Sequence, residues 1–430
     1  MKMIKKLEKI NQNAEIVLPS SKSYLNRALI LASLQKNKII LTNVCNICDD
    51  VMDMISALQK LGIKIEIKEN KNGKIDIVVF GNDGKFSKPS NDIINCGLGG
   101  TTTRFILGLS ALFDFDITIT AEGKMLERPI DELFDFLKNT GKEIVFLKNQ
   151  HCLPVIIKHS IRKNTKKIKI DGSKSSQFLS SIMMVANALN IEEIEVKNLV
   201  SKSYINITLD VLQQFGINFV HHKNDDTITY TINKASKPQQ NNIIEIEQDY
   251  SSASYFLAIQ TLFNADKNIV KVSPNSSQGD AKFINVIQKI EEYKNTKKYQ
   301  KPLVLQMQNM PDVSLTAMVL CAFQDFTTKI TGLKTLKNKE CNRLKAMHDE
   351  LAKIGIKTKI SPSYDIMTIY GKSNVELKND IKIETYNDHR IAMCFAIVGA
   401  KLGHIIVEKP DVVNKSFPNF WKEFEKIYCE

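Results

Sequence analysis

Asn95-Cys96-Gly97-Leu98-Gly99-Gly100-Thr101-Thr102-Thr103-Arg104 runs straight into Phe105-Ile106-Leu107-Gly108-Leu109-Ser110-Ala111-Leu112. The first part is a loop whose three glycines let backbone N–H groups approach a ligand closely. It lacks the Gly-Lys-Ser/Thr ending of a P-loop, and its G-x-G-G spacing is wrong for a dinucleotide fingerprint. The second part is small and apolar on every side. It reads as a buried helix, Thr101 to Leu112, with a polar N-cap.

The same texture recurs along the chain. Ser23 to Leu34, Ser176 to Leu189, Ser252 to Leu262, Asp312 to Phe323 and Asp388 to Leu402 all open on a hydroxyl or carboxylate and continue small and apolar. The opening residues, with Thr101, are spaced by 78, 75, 76, 60 and 76 residues. Between them lie amphipathic segments such as Val51 to Leu61, Ile207 to Phe215 and Leu344 to Ile354, each followed by glycine. A glycine there is a helix stop, and the alternation Ile63-Lys64-Ile65-Glu66-Ile67 after Gly62 is a strand. The chain therefore reads as six α/β units, one of them short, grouped naturally as two domains of three. If the buried helices aim their N-termini at one place, their dipoles and free N–H groups build an anion site.

Bulk properties narrow the field. A chain of 430 residues, 43% hydrophobic, has ample apolar content for more than one core. No apolar run reaches the roughly 20 residues of a membrane span. Met1 to Lys9 is charged, without the apolar stretch of a signal peptide. The eight cysteines form no dense framework, so a reducing, cytoplasmic setting is expected. Cys45-Asn46-Ile47-Cys48 is half a zinc site without its other half. The net charge of +12 raises a nucleic-acid or membrane partner, but the lysines are spread end to end among 47 acidic residues. No concentrated basic face with interleaved aromatics is present, so a diffuse solvated surface is expected, with no nucleic-acid or membrane partner.

Further motifs complete the series. Pro19-Ser20-Ser21-Lys22-Ser23-Tyr24-Leu25-Asn26-Arg27 sets a cation on each side of a hydroxyl at a helix start. Glu127-Arg128-Pro129-Ile130, Asp171-Gly172-Ser173-Lys174-Ser175-Ser176-Gln177-Phe178 and Val200-Ser201-Lys202-Ser203-Tyr204 come next. Then come Met310-Pro311-Asp312, Lys339-Glu340-Cys341-Asn342-Arg343, Asn387-Asp388-His389-Arg390 and Asn414-Lys415-Ser416. Each is weak alone. In this order, from Pro19 to Pro418, they resemble the EPSP synthase family.

That resemblance implies a two-domain inside-out α/β barrel, each domain three βαβαββ units around a pseudo-threefold axis. One domain spans 20–245; the other is discontinuous, 1–19 with 246–430. Substrates are expected to meet between the domains. The implied reaction transfers the carboxyvinyl group of phosphoenolpyruvate to the 5-hydroxyl of shikimate 3-phosphate by addition and elimination, without metal or organic cofactor, in a monomer. The resemblance places Lys22, Ser23, Arg27, Ser175, Ser176, Gln177, Ser201, Tyr204, Asp312 and Lys339 around shikimate 3-phosphate. It places Lys22, Gly100, Arg128, Gln177, Arg343, Arg390 and Lys415 around phosphoenolpyruvate. Asp312 is expected as the hydroxyl base, Glu340 as proton donor to C3, Lys22 in proton transfer and phosphate departure, and His389 as an orienting or relay group. So many cations in one pocket are expected to repel one another until substrate neutralises them.

Three departures from the family pattern stand out. Leu98 and Phe105 replace a common Asn and Pro, and Cys341-Asn342 replaces the usual Thr-Asp. The short interval before Asp312 points to a strand or loop lost within Glu291 to Pro302. The nearest rival is the carboxyvinyltransferase acting on UDP-N-acetylglucosamine, which carries Lys-Asn where this chain has Lys22-Ser23.

Overall fold

The structure, a computed structural model, describes residues 1–70, 74–233, 242–265, 269–273, 275–297 and 299–428. Small and apolar sequence makes six helices buried on nearly every side. In the Ser20–Gln248 unit these are α1 (Lys22–Ser33), α3 (Gly100–Leu109) and α5 (Ser176–Ala186). They alternate with amphipathic helices α2 (Asp49–Lys60), α4 (Asp131–Asn139) and α6 (Ser203–Gln214). The discontinuous unit, Met1–Pro19 with Asp249–Glu430, repeats the scheme. Its buried helices α7 (Tyr250–Leu262), α9 (Ser314–Ala322) and α11 (His389–Leu402) alternate with α8 (Phe283–Thr296), α10 (Arg343–Lys353) and α12 (Phe420–Glu425).

Within each unit the three buried helices pack on one another. Each unit has its own apolar core. Strand pairing shows the repeat directly. Ile93–Asn95 runs parallel to Ile117–Thr120 across α3; Lys167–Asp171 to Glu193–Lys197 across α5; Leu303–Gln306 to Thr327–Thr331 across α9. Ile381–Ile383 and Ile405–Val407 do the same across α11. Three of these pairs are extended by an antiparallel hairpin from the chain after the next amphipathic helix. The pair around α11 is extended instead by Lys2–Ile4, antiparallel to Ile405–Val407. Gly399 on α11 makes room: a Cβ there would lie 2.5 Å from the Ile4 Cβ.

The second passage between units falls after Gln248, slightly beyond the 245/246 read from sequence. Ile246, Glu247 and Gln248 still hydrogen-bond or bridge to Thr42, Ser21 and Ser20. The short unit is also accounted for. Among the described residues no strand lies between Leu262 and Leu303; α8 runs to Thr296 and the chain passes directly into a strand of the next sheet.

Candidate active site

In the Ser20–Gln248 unit the buried helices bring their first turns together. Ser21 caps α1 by accepting from the Tyr24 N–H, which starts the helix at Lys22. The Lys22 Nζ lies 2.7 Å from Asp50 Oδ2, and Asp50 is buried in the first turn of α2. The Asp50 carbonyl accepts from the Thr102 hydroxyl at 3.0 Å, which ties in α3. On α5, Gln177 donates to Thr101 Oγ1 at 3.2 Å and accepts from Arg104. A Cβ on Gly100 would meet the Arg128 guanidinium at 3.0 Å and that of Arg104 at 3.2 Å. Lys22, Gly100, Arg128 and Gln177 are thus gathered where the helix N-termini of this unit expose N–H groups.

The hydroxyl residues sit on an adjoining pair of loops. Ser175 caps α5, accepting from the Gln177 N–H at 3.2 Å, and Ser176 is its first residue. Gly172 donates to the Lys197 carbonyl and accepts from the Val200 N–H, so the Asp171–Ser175 loop runs beside the Ser201 turn. Ser201 itself has a left-handed φ of 51°. Lys174 reaches Asp131 at 3.3 Å and Glu132 at 3.1 Å, fastening this loop to the start of α4 just after Arg128.

Arg27, expected beside shikimate 3-phosphate, is already bonded on most sides by the protein. It is 1% exposed and lies over the Phe105 ring. It donates to Thr208, Ser180, and the carbonyls of Ser23 and Tyr204. Four of its N–H groups are committed, and a guanidinium has about five. Burial lowers its pKa to about 9, which leaves it charged at neutral pH. The Phe105 departure is thereby explained as a floor for Arg27. Leu98 is half exposed, against the turn Gly123–Glu127 that precedes Arg128.

In the discontinuous unit the charged residues form one network. Asp312 stands on a tight turn ahead of α9. Its Oδ1 faces Lys339 at 3.4 Å and Arg343 at 3.1 Å, and its Oδ2 faces Arg390 at 3.0 Å. Glu340 binds Arg343 at 2.8 Å and Lys415 at 3.4 Å. Asn342 caps α10, which makes Arg343 the first helical residue and buries it. Asp388 caps α11 through the Arg390 N–H and receives Arg343 on both oxygens, at 2.7 and 3.2 Å. Burial opposes the Arg343 charge, but Asp388, Glu340 and Asp312 together hold its pKa above the ordinary range. His389 is buried beside Asp388, 3.8 Å away. Cys341 donates weakly to Asp388 at 3.6 Å, and burial together with that carboxylate pushes its thiol pKa up.

The expected mutual repulsion of cations is corrected by this geometry. Lys22 has Asp50; Lys339, Arg343, Arg390 and Lys415 share Asp312, Glu340 and Asp388. These cations are therefore balanced by carboxylates of the protein itself. Sequence reading gave no role to Asp50, Asp280 or Tyr255. Asp280 accepts from Ser251, and its carboxyl is raised by burial and then by the charge of Asp312; Tyr255 receives Arg390 at 3.3 Å. Asp50 was signalled only by two aspartates opening an amphipathic helix, which also occurs for dipole reasons alone.

Comparison with known proteins agrees with the motif order. The family model for EPSP synthase (3-phosphoshikimate 1-carboxyvinyltransferase) matches residues 7–424. A 3-phosphoshikimate 1-carboxyvinyltransferase of Psychromonas ingrahamii is 34% identical over 429 residues, covering 97% of each chain. One from Shewanella sp. (strain ANA-3) is 33% identical over 437 residues, covering 99% of this chain and 100% of its own. Among solved structures, an EPSP synthase from Acinetobacter baumannii superposes with a TM-score of 0.71 at 20% identity, covering 99% of this chain and 97% of that one.

Proposed function

The chain belongs to the EPSP synthase family, and on that premise we propose how its residues divide the family's reaction. The reaction transfers the carboxyvinyl group of phosphoenolpyruvate to shikimate 3-phosphate and releases phosphate, in aromatic amino acid biosynthesis. The 5-hydroxyl gives up its proton as it attacks C2 while C3 gains one; the tetrahedral adduct then returns a C3 proton to the group that supplied it as phosphate leaves, which restores the double bond. In our reading Asp312 takes the hydroxyl proton and Glu340 delivers a proton to C3. The observation that carries this is the pair of carboxylates on one guanidinium: Asp312 and Glu340 both contact Arg343. A shared cation fixes two acid–base groups at a short separation, as addition across a double bond requires.

Ser175, Ser176, Ser201 and Lys339 are proposed for the phosphate of shikimate 3-phosphate, with Ser23, Gln177 and Tyr204 beside them. Arg27 meets its carboxylate with the N–H left over from its protein bonds. Lys22, Gly100, Arg128, Gln177, Arg343, Arg390 and Lys415 are proposed for phosphoenolpyruvate. Lys22 assists phosphate departure, and His389 orients the neighbouring Asp388–Arg390 turn or relays a proton. No metal or organic cofactor enters this scheme. A cytoplasmic monomer is part of the same proposal; no described helix is long and apolar enough to cross a membrane.

The test is phosphate release from phosphoenolpyruvate with shikimate 3-phosphate as acceptor and UDP-N-acetylglucosamine in a parallel reaction. Turnover only with the first is expected. Turnover only with the second would assign the chain to the rival chemistry.

A further inference from the structure

Glu350 is fully buried in the second half of α10, and the reaction scheme above gives it no part. A buried carboxylate is costly unless its oxygens are occupied. Here Oε1 accepts from the Tyr386 hydroxyl at 2.8 Å. Oε2 accepts from the Glu384 backbone N–H at 3.2 Å and from Lys353 Nζ at 2.6 Å. Lys353 also donates to the Lys382 carbonyl at 3.1 Å. The second half of α10 therefore grips the chain from Lys382 to Tyr386.

The gripped segment leads into a turn that is chemically important and conformationally unusual. Tyr386 and Asn387 both have left-handed φ values, 53° and 54°. For non-glycine residues such backbone is strained and persists only where surroundings enforce it. The next three residues are Asp388, His389 and Arg390. The first turn of α10 holds the far side of this segment, through Arg343 on both oxygens of Asp388. Arg343 and Glu350 are two turns apart on α10, about 10 Å along a helix. The turn is thus fixed at two separated points by one rigid rod, which sets its direction as well as its position.

We propose that Glu350, acting through Tyr386, is a positioning residue for the Asp388–His389–Arg390 turn, which aims Arg390 at phosphoenolpyruvate. The inference rests on the proposed function for the ligand and on the geometry for the linkage. A displacement of about 1 Å at such a site can cost ~10²-fold in rate.

The decisive variant is Tyr386→Phe, which removes one hydroxyl and leaves the ring. Glu350→Gln accompanies it, placing an amide donor against groups that already donate. The readouts are kcat, KM for phosphoenolpyruvate, the Kd of shikimate 3-phosphate alone, and thermal unfolding. For Tyr386→Phe we expect kcat/KM for phosphoenolpyruvate to fall at least ~10-fold, with shikimate 3-phosphate binding unchanged and a folded protein at assay temperature. Glu350→Gln should fall further. If folded Tyr386→Phe keeps wild-type kcat and KM, the linkage is merely structural and the inference is overturned. A wild-type enzyme inactive on this substrate pair would instead strike the proposed function.

Discussion

At the scale of single residues, Asp312 and Glu340 differ in what they should lose when truncated. Both are proposed to move protons, so Asp312→Ala and Glu340→Ala are each expected to lower kcat by ~10²-fold or more. Lys339 is assigned to the phosphate of shikimate 3-phosphate, and Glu340 is paired with Arg343 and Lys415. Equilibrium binding of shikimate 3-phosphate should therefore survive Glu340→Ala better than Lys339→Ala. Loss confined to KM with kcat intact would move the proton chemistry to Lys22 and His389. Asp280 offers a different measurement. Burial, then the charge of Asp312, raise its carboxyl above the usual range. A raised acid binds its proton more tightly in the folded state. Its stabilising contribution is whole below the unfolded pKa of about 4 and fades as pH rises towards neutrality. In calorimetry, wild type should lose more Tm than Asp280→Asn across that interval. Parallel Tm curves would clear Asp280 of the effect.

Helices and loops were the most legible part of the molecule. The alternation of wholly apolar with amphipathic segments marked α1 to α3, α5 to α7 and α9 to α11 because burial on all sides and burial on one stripe leave different patterns. Helix starts were less legible. α7 begins at Tyr250 because Asp249 accepts from the Ser252 N–H, so Ser252 is capped rather than capping. α3 starts at Gly100 behind Gly99 with no side-chain cap, and Asp312 lies on a turn one step before α9. Pairings between distant elements left no trace in composition: Lys22 with Asp50, or Glu350 with Tyr386, look like ordinary polar groups on helix faces and loops until the fold joins them. Close helix contact is another such case. A Cβ on Gly108 of α3 would lie 2.0 Å from the Ser181 hydroxyl of α5. Gly108→Ala should therefore destabilise by about 1–3 kcal/mol in urea unfolding, despite alanine's better helix propensity. An unchanged midpoint would show that Ser181 simply rotates away.

For the molecule as a whole, chemistry by paired side-chain charges predicts independence from metal. Turnover should persist after exhaustive EDTA dialysis, and activity restored only by a divalent ion would refute the scheme. The N-terminal segment should matter far more than its length suggests. Ile4, Leu7 and Ile10 are buried in the core of the discontinuous unit, and Lys2–Ile4 covers the edge of Ile405–Val407. Each such side chain is worth about 1.5–3 kcal/mol when fully buried. Deleting residues 1–10 is thus expected to unfold that unit, seen as loss of its calorimetric transition, and to leave an open strand edge prone to aggregation.

The strand Lys2–Ile4 also sets a schedule for biosynthesis. Its partner Ile405–Val407 is translated roughly 400 residues after it. The Ser20–Gln248 unit holds all of its own strands and can close while translation continues. Residues 1–19 must then wait, without that partner, for roughly 160 more residues, about eight to thirty seconds at ~5–20 residues per second. Nascent chains stalled near residue 300 should accordingly show a protease-resistant Ser20–Gln248 core with a cleavable leading segment. Resistance of that segment only once Ile405–Val407 has left the ribosome would mark the moment at which the two strands meet.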